Sequence, residues 1–266
     1  MIAAPSLLGS VYGHRELVAE LVKRELRDRH TGQLLGALWA YGHPLLLMLM
    51  YSLLFAYVFP TRVGGSSGHP DFAVNVLIGI VSWLAFQDLL ARSTTILTAH
   101  ASLVKQIIFP VVVLPVKTAI ASALPYSIAL LFTIGYAAID GTLTFMVLTV
   151  PILIAIQLIA MTGVALMLSA LGIFFRDLRD IVTIFCTVNL FAQPILFNPY
   201  ATPSWMNWVF HLNPFSYQVW CWQDALYFGA FQHPAAWIVF PLGAISCLLI
   251  GYVVFSRMKH GFGDAL

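Results

Sequence analysis

Apolar residues gather into six long runs, parted by short polar or charged stretches. The runs cover residues 37–59, 72–90, 116–139, 145–174, 181–197 and 235–256. A helix needs about 20 apolar residues to cross a bilayer, and about 17 is the lower limit, which the fifth run barely meets. Ahead of them lies His14 to His30, HRELVAELVKRELRDRH. Leu17, Val18, Leu21 and Val22 fall on one side of a helix there, and Glu16, Glu20, Lys23 and Arg27 on the other. Such a helix is expected to lie flat at the membrane surface. It serves either as a juxtamembrane anchor that fixes topology or as a cytoplasmic helix that touches a partner, and amphipathicity fits both.

The stretches between runs carry most of the polar signal. Residues 61–71 make a short Gly/Ser-rich loop, while 93–110, STTILTAHASLVKQIIFP, reads as a partly helical cytoplasmic connector carrying His100 and Lys105. Pro115 and Pro125 predict a break or kink in the third run, and Lys117 is placed to snorkel at its end. Asp140-Gly141 predicts a tight turn, and Gly163 and Ser169 are small enough for close helix packing. A charged knot, Arg176-Asp177-Leu178-Arg179-Asp180, opens the fifth run, where Asp180 suits the positive end of a helix dipole. Asn189 and Gln193, four apart, share a face fitted for interhelical hydrogen bonds or, less commonly, for lining a conduit. Tyr51, Phe55 and Phe59 also share one face, either as an interfacial belt or as a surface along which sugar rings slide. Residues 198–234 lack Lys and Arg, hold one acid, Asp224, and are crowded with aromatics, among them Trp205, Trp208, Phe215, Tyr217, Trp220 and Trp222. They are expected to dip into the outer interface as short helices broken at Asn213-Pro214.

Composition turns this pattern into a class. Sixty per cent of the 266 residues are hydrophobic and 9% are charged, and the mean hydropathy is +0.88. Soluble domains are about 25% charged, so the chain is an integral membrane protein with no room for a soluble catalytic domain. Arg15, Lys23, Arg24, Arg27, Arg29, Arg92, Lys105, Arg176, Arg179, Arg257 and Lys259 all fall on one side of a six-span topology, and Arg62 on the other. The positive-inside rule then predicts both termini in the cytoplasm. Met1 to Gly13 has no basic start and no long apolar run, so no signal peptide is expected. Cys186, Cys221 and Cys247 lie far apart and read as free apolar thiols without metal-ligand spacing.

Several chemistries are missing. No GxxxxGK[ST], HExxH or CxxC occurs. The centres of the runs hold no Asp, Glu, Lys or Arg, and ion-coupled carriers usually need such groups. A transport role therefore requires energy from another chain, and neither an enzymatic activity nor a nucleic-acid partner is expected.

Three segments carry a resemblance. Leu34 to Phe59, Leu103 to Pro115, and above all Phe174 to Phe197 (FFRDLRDIVTIFCTVNLFAQPILF) with Leu212-Asn213-Pro214 look like the membrane subunit of bacterial ABC transporters that export O-antigen, capsule or teichoic acid polysaccharides. The resemblance covers nearly the whole chain. It implies an all-α permease in the inner membrane, with six spans, an N-terminal gate helix over residues 1–36 (Arg15, Glu20, Lys23, Arg24, Arg27) and re-entrant periplasmic helices. Two copies would form a conduit for a lipid-linked polysaccharide, with two copies of a cytoplasmic ATPase binding ATP and Mg below. This chain would hold no cofactor or metal itself. Thr95, Leu97, His100, Leu103, Lys105, Arg176 and Asp177 would couple to the ATPase. Tyr51, Phe55 and Phe59 would line the channel, and Trp205, Trp208, Phe215, Tyr217, Trp220 and Trp222 would close its outer end. Relatives often place a basic residue about ten positions after the Asn-Pro; here that place holds Gln223 and Asp224. The alternatives are an ABC permease for a small lipid or drug, and a membrane-embedded transferase acting on polyprenyl-linked glycans.

Overall fold

The computed structural model describes residues 12–29, 38–58, 72–105, 109–197 and 203–265, with glycines 9, 32 and 36. The predicted 61–71 loop and Phe59 lie outside the described residues. Within them the chain is helix and turn, without strands. The elements are α1 (Arg15–Asp28), α2 (Leu38–Leu53, continued by a wider turn Leu54–Val58), α3 (Phe72–Ser93), α4 (Ile96–Ala99), α5 (Ala101–Val104) and α6 (Val113–Asp140). They are followed by α7 (Val150–Phe174, entered through Phe145–Thr149), α8 (Leu178–Phe191), α9 (Ser204–Leu212), α10 (Pro214–Gln223, continued by Asp224–Phe228), α11 (Ala236–Met258) and α12 (Phe262–Ala265).

Four stretches are long and apolar enough to cross a membrane: Phe72–Ser93, Val113–Asp140, Phe145–Phe174 and Ala236–Gly261. The fifth run departs from its prediction as a helix over 181–197. It is helical for only 14 residues, Leu178–Phe191, which spans about 21 Å at 1.5 Å per residue. Residues 192–197 then bend and turn. Pro194 accounts for this, since it donates no backbone hydrogen bond and disfavours helical backbone at the residue before it. In α6, by contrast, the helix runs unbroken through both prolines. Pro115 lies in the first turn, where a missing N–H costs nothing, while Pro125 removes one internal bond.

The bundle is built around α3, 83% of whose apolar window is buried, against 22% for the peripheral α11. An all-round apolar helix belongs in an interior, and α3 packs against α6, α10, α7, α2 and α8. The tightest pair is α7 with α11, where Gly163 meets Gly251. A Cβ on Gly163 would lie 2.5 Å from the Cys247 carbonyl carbon and the Leu248 nitrogen, and one on Gly251 would strike the Gly163 carbonyl. Gly163 had the small size for this role in the sequence, but Gly251, its partner across the helices, lies 88 positions further along the chain in no recognisable motif. At the far end of α6 the predicted tight turn forms at Gly141, whose φ of 78° favours glycine.

Candidate functional site

Two polar assemblies mark opposite ends of the bundle, and they are made of different chemistry. The first surrounds α1. Its apolar stripe is used within the chain: Val18 and Val22 are buried against Val113, Val116 and Ala121 at the start of α6, with Leu17, Leu21, Leu26 and Ile120 around them. Docking this face brings Glu25 and Arg29 against the C-terminal end of α3 and the N-terminal end of α6. Arg29 donates to Glu25 Oε1 at 2.7 Å and to Asp88 Oδ2 at 3.1 Å, and Arg92 donates to Asp88 Oδ1 at 2.9 Å. Lys117 pairs with Glu25 Oε2 at 3.0 Å. Its side chain is 3% exposed, so it does not snorkel as predicted; a carboxylate from α1 meets it instead of the lipid interface. Burial opposes charge on Glu25, but Lys117 and Arg29 more than offset that, and its carboxyl is held below the usual 4.5.

His100, between α4 and α5, extends this assembly. Its Nδ1 lies 2.9 Å from the Ile96 carbonyl and its Nε2 lies 3.3 Å from Lys117 Nζ. A carbonyl accepts and an ammonium donates, so these neighbours assign the neutral tautomer, with the proton on Nδ1 and the Nε2 lone pair facing Lys117. Burial and then the Lys117 charge push the ring's pKa below 6.5. Beside this assembly lies a cavity of about 520 Å³, walled in part by Arg24, Asp28, Thr95, Ala99, Ser102 and Leu103.

The connector residues divide by face. Leu97 is 1% exposed and packs inward with Ile96 and Val104 against Leu166, Ala170, Phe255 and Phe262. Thr95, His100 and Leu103 are half-buried, and Lys105 is exposed with Thr98, Ala99 and Ser102. Gly172 of α7 touches the Thr94 backbone with no room for a side chain. Arg176 and Asp177 follow a few residues on, exposed in the turn before α8. The exposed face of α1 carries Arg15 over the Tyr12 ring at 5.0 Å, a Glu20–Lys23 pair, an Arg24–Asp28 pair and Arg27. The sequence pointed to that outer face. It missed Glu25, Arg29, Asp88 and Arg92, whose acid and base alternation at helix ends was the available signal.

The second assembly is nearly free of charge and ties α8, α9 and α10 together. The chain breaks at Asn213-Pro214 as predicted, and Asn213 Oδ1 caps α10 by accepting from the Phe215 N–H at 3.0 Å. The Asn213 amide donates to Asn189 Oδ1 at 2.7 Å and to the Ala192 carbonyl at 2.8 Å, while Gln223 donates to the Pro194 carbonyl at 2.8 Å. Asn189 and Gln193 are buried at 4% and 0% exposure, so both lie inside the protein rather than on an open passage. Deeper in, Gln157 and Gln218 both donate to the Ser82 carbonyl, and Trp222 donates to Gln157. Trp205 and Trp208 stand exposed on α9, whereas Phe215 sits edge-on to Trp83 and Phe86. Tyr217 donates to the His211 carbonyl at 2.8 Å, and Trp220 stacks on His233 with centroids 5.2 Å apart. Asp224, fully buried, accepts from the His233 backbone N–H, the His233 ring and the Trp237 indole at 2.8–3.0 Å. Tyr51 and Phe55 are half-buried on α2 and pack on the core. Among the described residues no group of three His, Cys, Asp or Glu is placed to hold a metal.

The family model for ABC-2 type transporters matches residues 16–227, a span from α1 into the continuation of α10 that holds the first assembly and the Asn189, Asn213 and Gln223 contacts of the second. The chain belongs to the ABC-2 type transporter family. Like other ABC-2 permeases it is a transport membrane subunit built on apolar helices. It is 25% identical over 257 residues to the O-antigen export system permease protein RfbA of Klebsiella pneumoniae, covering 94% of this chain and 95% of that one. It is 28% identical to the protein of the same name from Myxococcus xanthus, covering 98% and 99%.

Proposed function

We propose that this ABC-2 permease is the transmembrane subunit of an ATP-driven exporter that carries a lipid-linked polysaccharide, O-antigen in the first instance, across the cytoplasmic membrane. The observation that carries the reading is end-to-end similarity to O-antigen export permeases, with the family match running from α1 into the continuation of α10. Two copies of the chain would enclose the passage, with both termini in the cytoplasm beside two ATPase subunits. In this reading α2 with its continuation, and α8 with residues 192–197, complete six crossings, and α9 and α10 re-enter from the periplasmic side. Thr98, Ser102 and Lys105 on the connector, with Arg176 and Asp177, would meet the ATPase, while the inward Leu97 holds the connector to the bundle. Trp205 and Trp208 on the outer face suit the membrane interface, and Tyr51 with Phe55 would offer rings to the sugar.

Deletion of the gene tests this. Lipid-linked polymer should accumulate inside the cell while surface glycan disappears. Unchanged surface glycan, with a small lipid or drug retained instead, would favour the permease of the other substrate class.

A further inference from the structure

Glu25 on α1, Lys117 at the start of α6 and His100 in the connector form an unbroken row: Glu25 Oε2 lies 3.0 Å from Lys117 Nζ, and Lys117 Nζ lies 3.3 Å from His100 Nε2. We propose that this row positions α1 on the connector, so that a push delivered to the connector displaces α1 with it. The inference rests on the reading that the connector docks on the partner ATPase.

Three observations converge. First, the connector packs its apolar residues on Leu114 of α6 and on α7, α11 and α12, whereas α1 packs on Val113, Val116 and Ala121 of α6. No apolar cluster holds both, and a cavity of about 520 Å³ lies between them. Both elements rest on the first turns of α6, and across the cavity Lys117 adds polar contacts to each of them. Second, Lys117 has its two partners on the two elements to be joined. It is 3% exposed, so an ammonium there requires both of them to stay paired. Third, Glu25 is braced from the other side by Arg29, which Asp88 of α3 holds at 3.1 Å. A shift of Lys117 is therefore passed to α1 rather than absorbed by a swinging carboxylate.

The joint to the connector works only with a neutral imidazole, because an Nε2–H would point at the ammonium. Gln at position 100 can present an acceptor to Lys117, and Arg cannot. The test uses the permease in complex with its ATPase, reading co-purification of the ATPase, ATP hydrolysis and surface glycan in the complemented deletion strain. K117M should keep the ATPase bound and its hydrolysis within about twofold, while surface glycan falls by about tenfold in both K117M and H100R. H100Q should export within about twofold of the parent, and K117R should restore most of what K117M loses. Equal export by H100Q and H100R would overturn the proposal, as would normal export by K117M. Should K117M fail to accumulate in the membrane, the H100Q and H100R pair decides alone. A parent permease that retains no ATPase would instead sink the proposed function, with the row left to be judged by α1 protection in hydrogen exchange: unchanged protection in H100R and K117M would overturn it.

Discussion

The two ends of the bundle solve the same problem, fixing short elements to long ones, with opposite materials. Around α1 the fastening is ionic, through Glu25, Arg29, Asp88, Arg92 and Lys117. Around α9 and α10 it is mostly uncharged, through Asn189, Asn213, Gln223 and backbone carbonyls freed where α8 ends, with Asp224 the one buried acid among these contacts. The difference follows from where water reaches. Arg92 is 41% exposed and Asp88 19%, so part of the ionic assembly keeps hydration that lowers the cost of burying charge. Asn189 and Gln193 are buried, and an uncharged amide there costs far less than an ion. Ion pairs at an edge also rearrange more readily than amides locked onto a broken helix. The end around α1 is thus the better candidate for a moving joint, and the end around α9 and α10 for a fixed one.

That contrast is broken first by charge removal. Asp88→Ala leaves Arg29 and Arg92 facing each other in a half-buried site and should cost about 3 kcal/mol, read as a fall in melting temperature in detergent. Next comes Asp224→Ala at the end around α9 and α10, which strands three donors and should cost about 2 kcal/mol by the same measurement. Asn213→Ala removes a helix cap and exposes two acceptors, so a loss of about 1–2 kcal/mol is expected. An Asn213→Ala loss as large as that of Asp88→Ala would erase the distinction between the ends.

How much of this was legible beforehand differs between the ends. Asn213 was readable because proline follows it, and capping is a local affair of two or three residues. The apolar face of α1 was readable from its period, but not the fact that α6 rather than lipid covers it. Lys117 shows why the ionic site was hidden. A lysine at a helix end reads as a snorkel, and only the fold brings Glu25 and His100 to it from separate segments. The premature end of α8 had a local sign in Pro194, yet the apolar run on both sides masked it. Asp224 stood out in the sequence only as the one acid of residues 198–234; its three donors come from the loop and from α11, beyond the reach of motif reading.

The smallest expected effect is on pH. Both Glu25 and His100 titrate below their ordinary values, so each favours the docked state at higher pH and loses that contribution as pH falls through its lowered value. From pH 7.5 downward His100 releases first, once the pH drops below about 6.5, and Glu25 only below about 4.5. Hydrogen exchange should show residues 96–104 losing protection before residues 15–28. The reverse order would remove His100 from the fastening around α1.

The central claim of the proposed function is that this permease draws its energy from a nucleotide-hydrolysing partner. Reconstitution into vesicles with lipid-linked polysaccharide on the cytoplasmic leaflet measures it directly. The account predicts no translocation by the permease alone, and translocation once the ATPase and ATP are added on the side of its termini. Movement of the polysaccharide by the permease alone would contradict it.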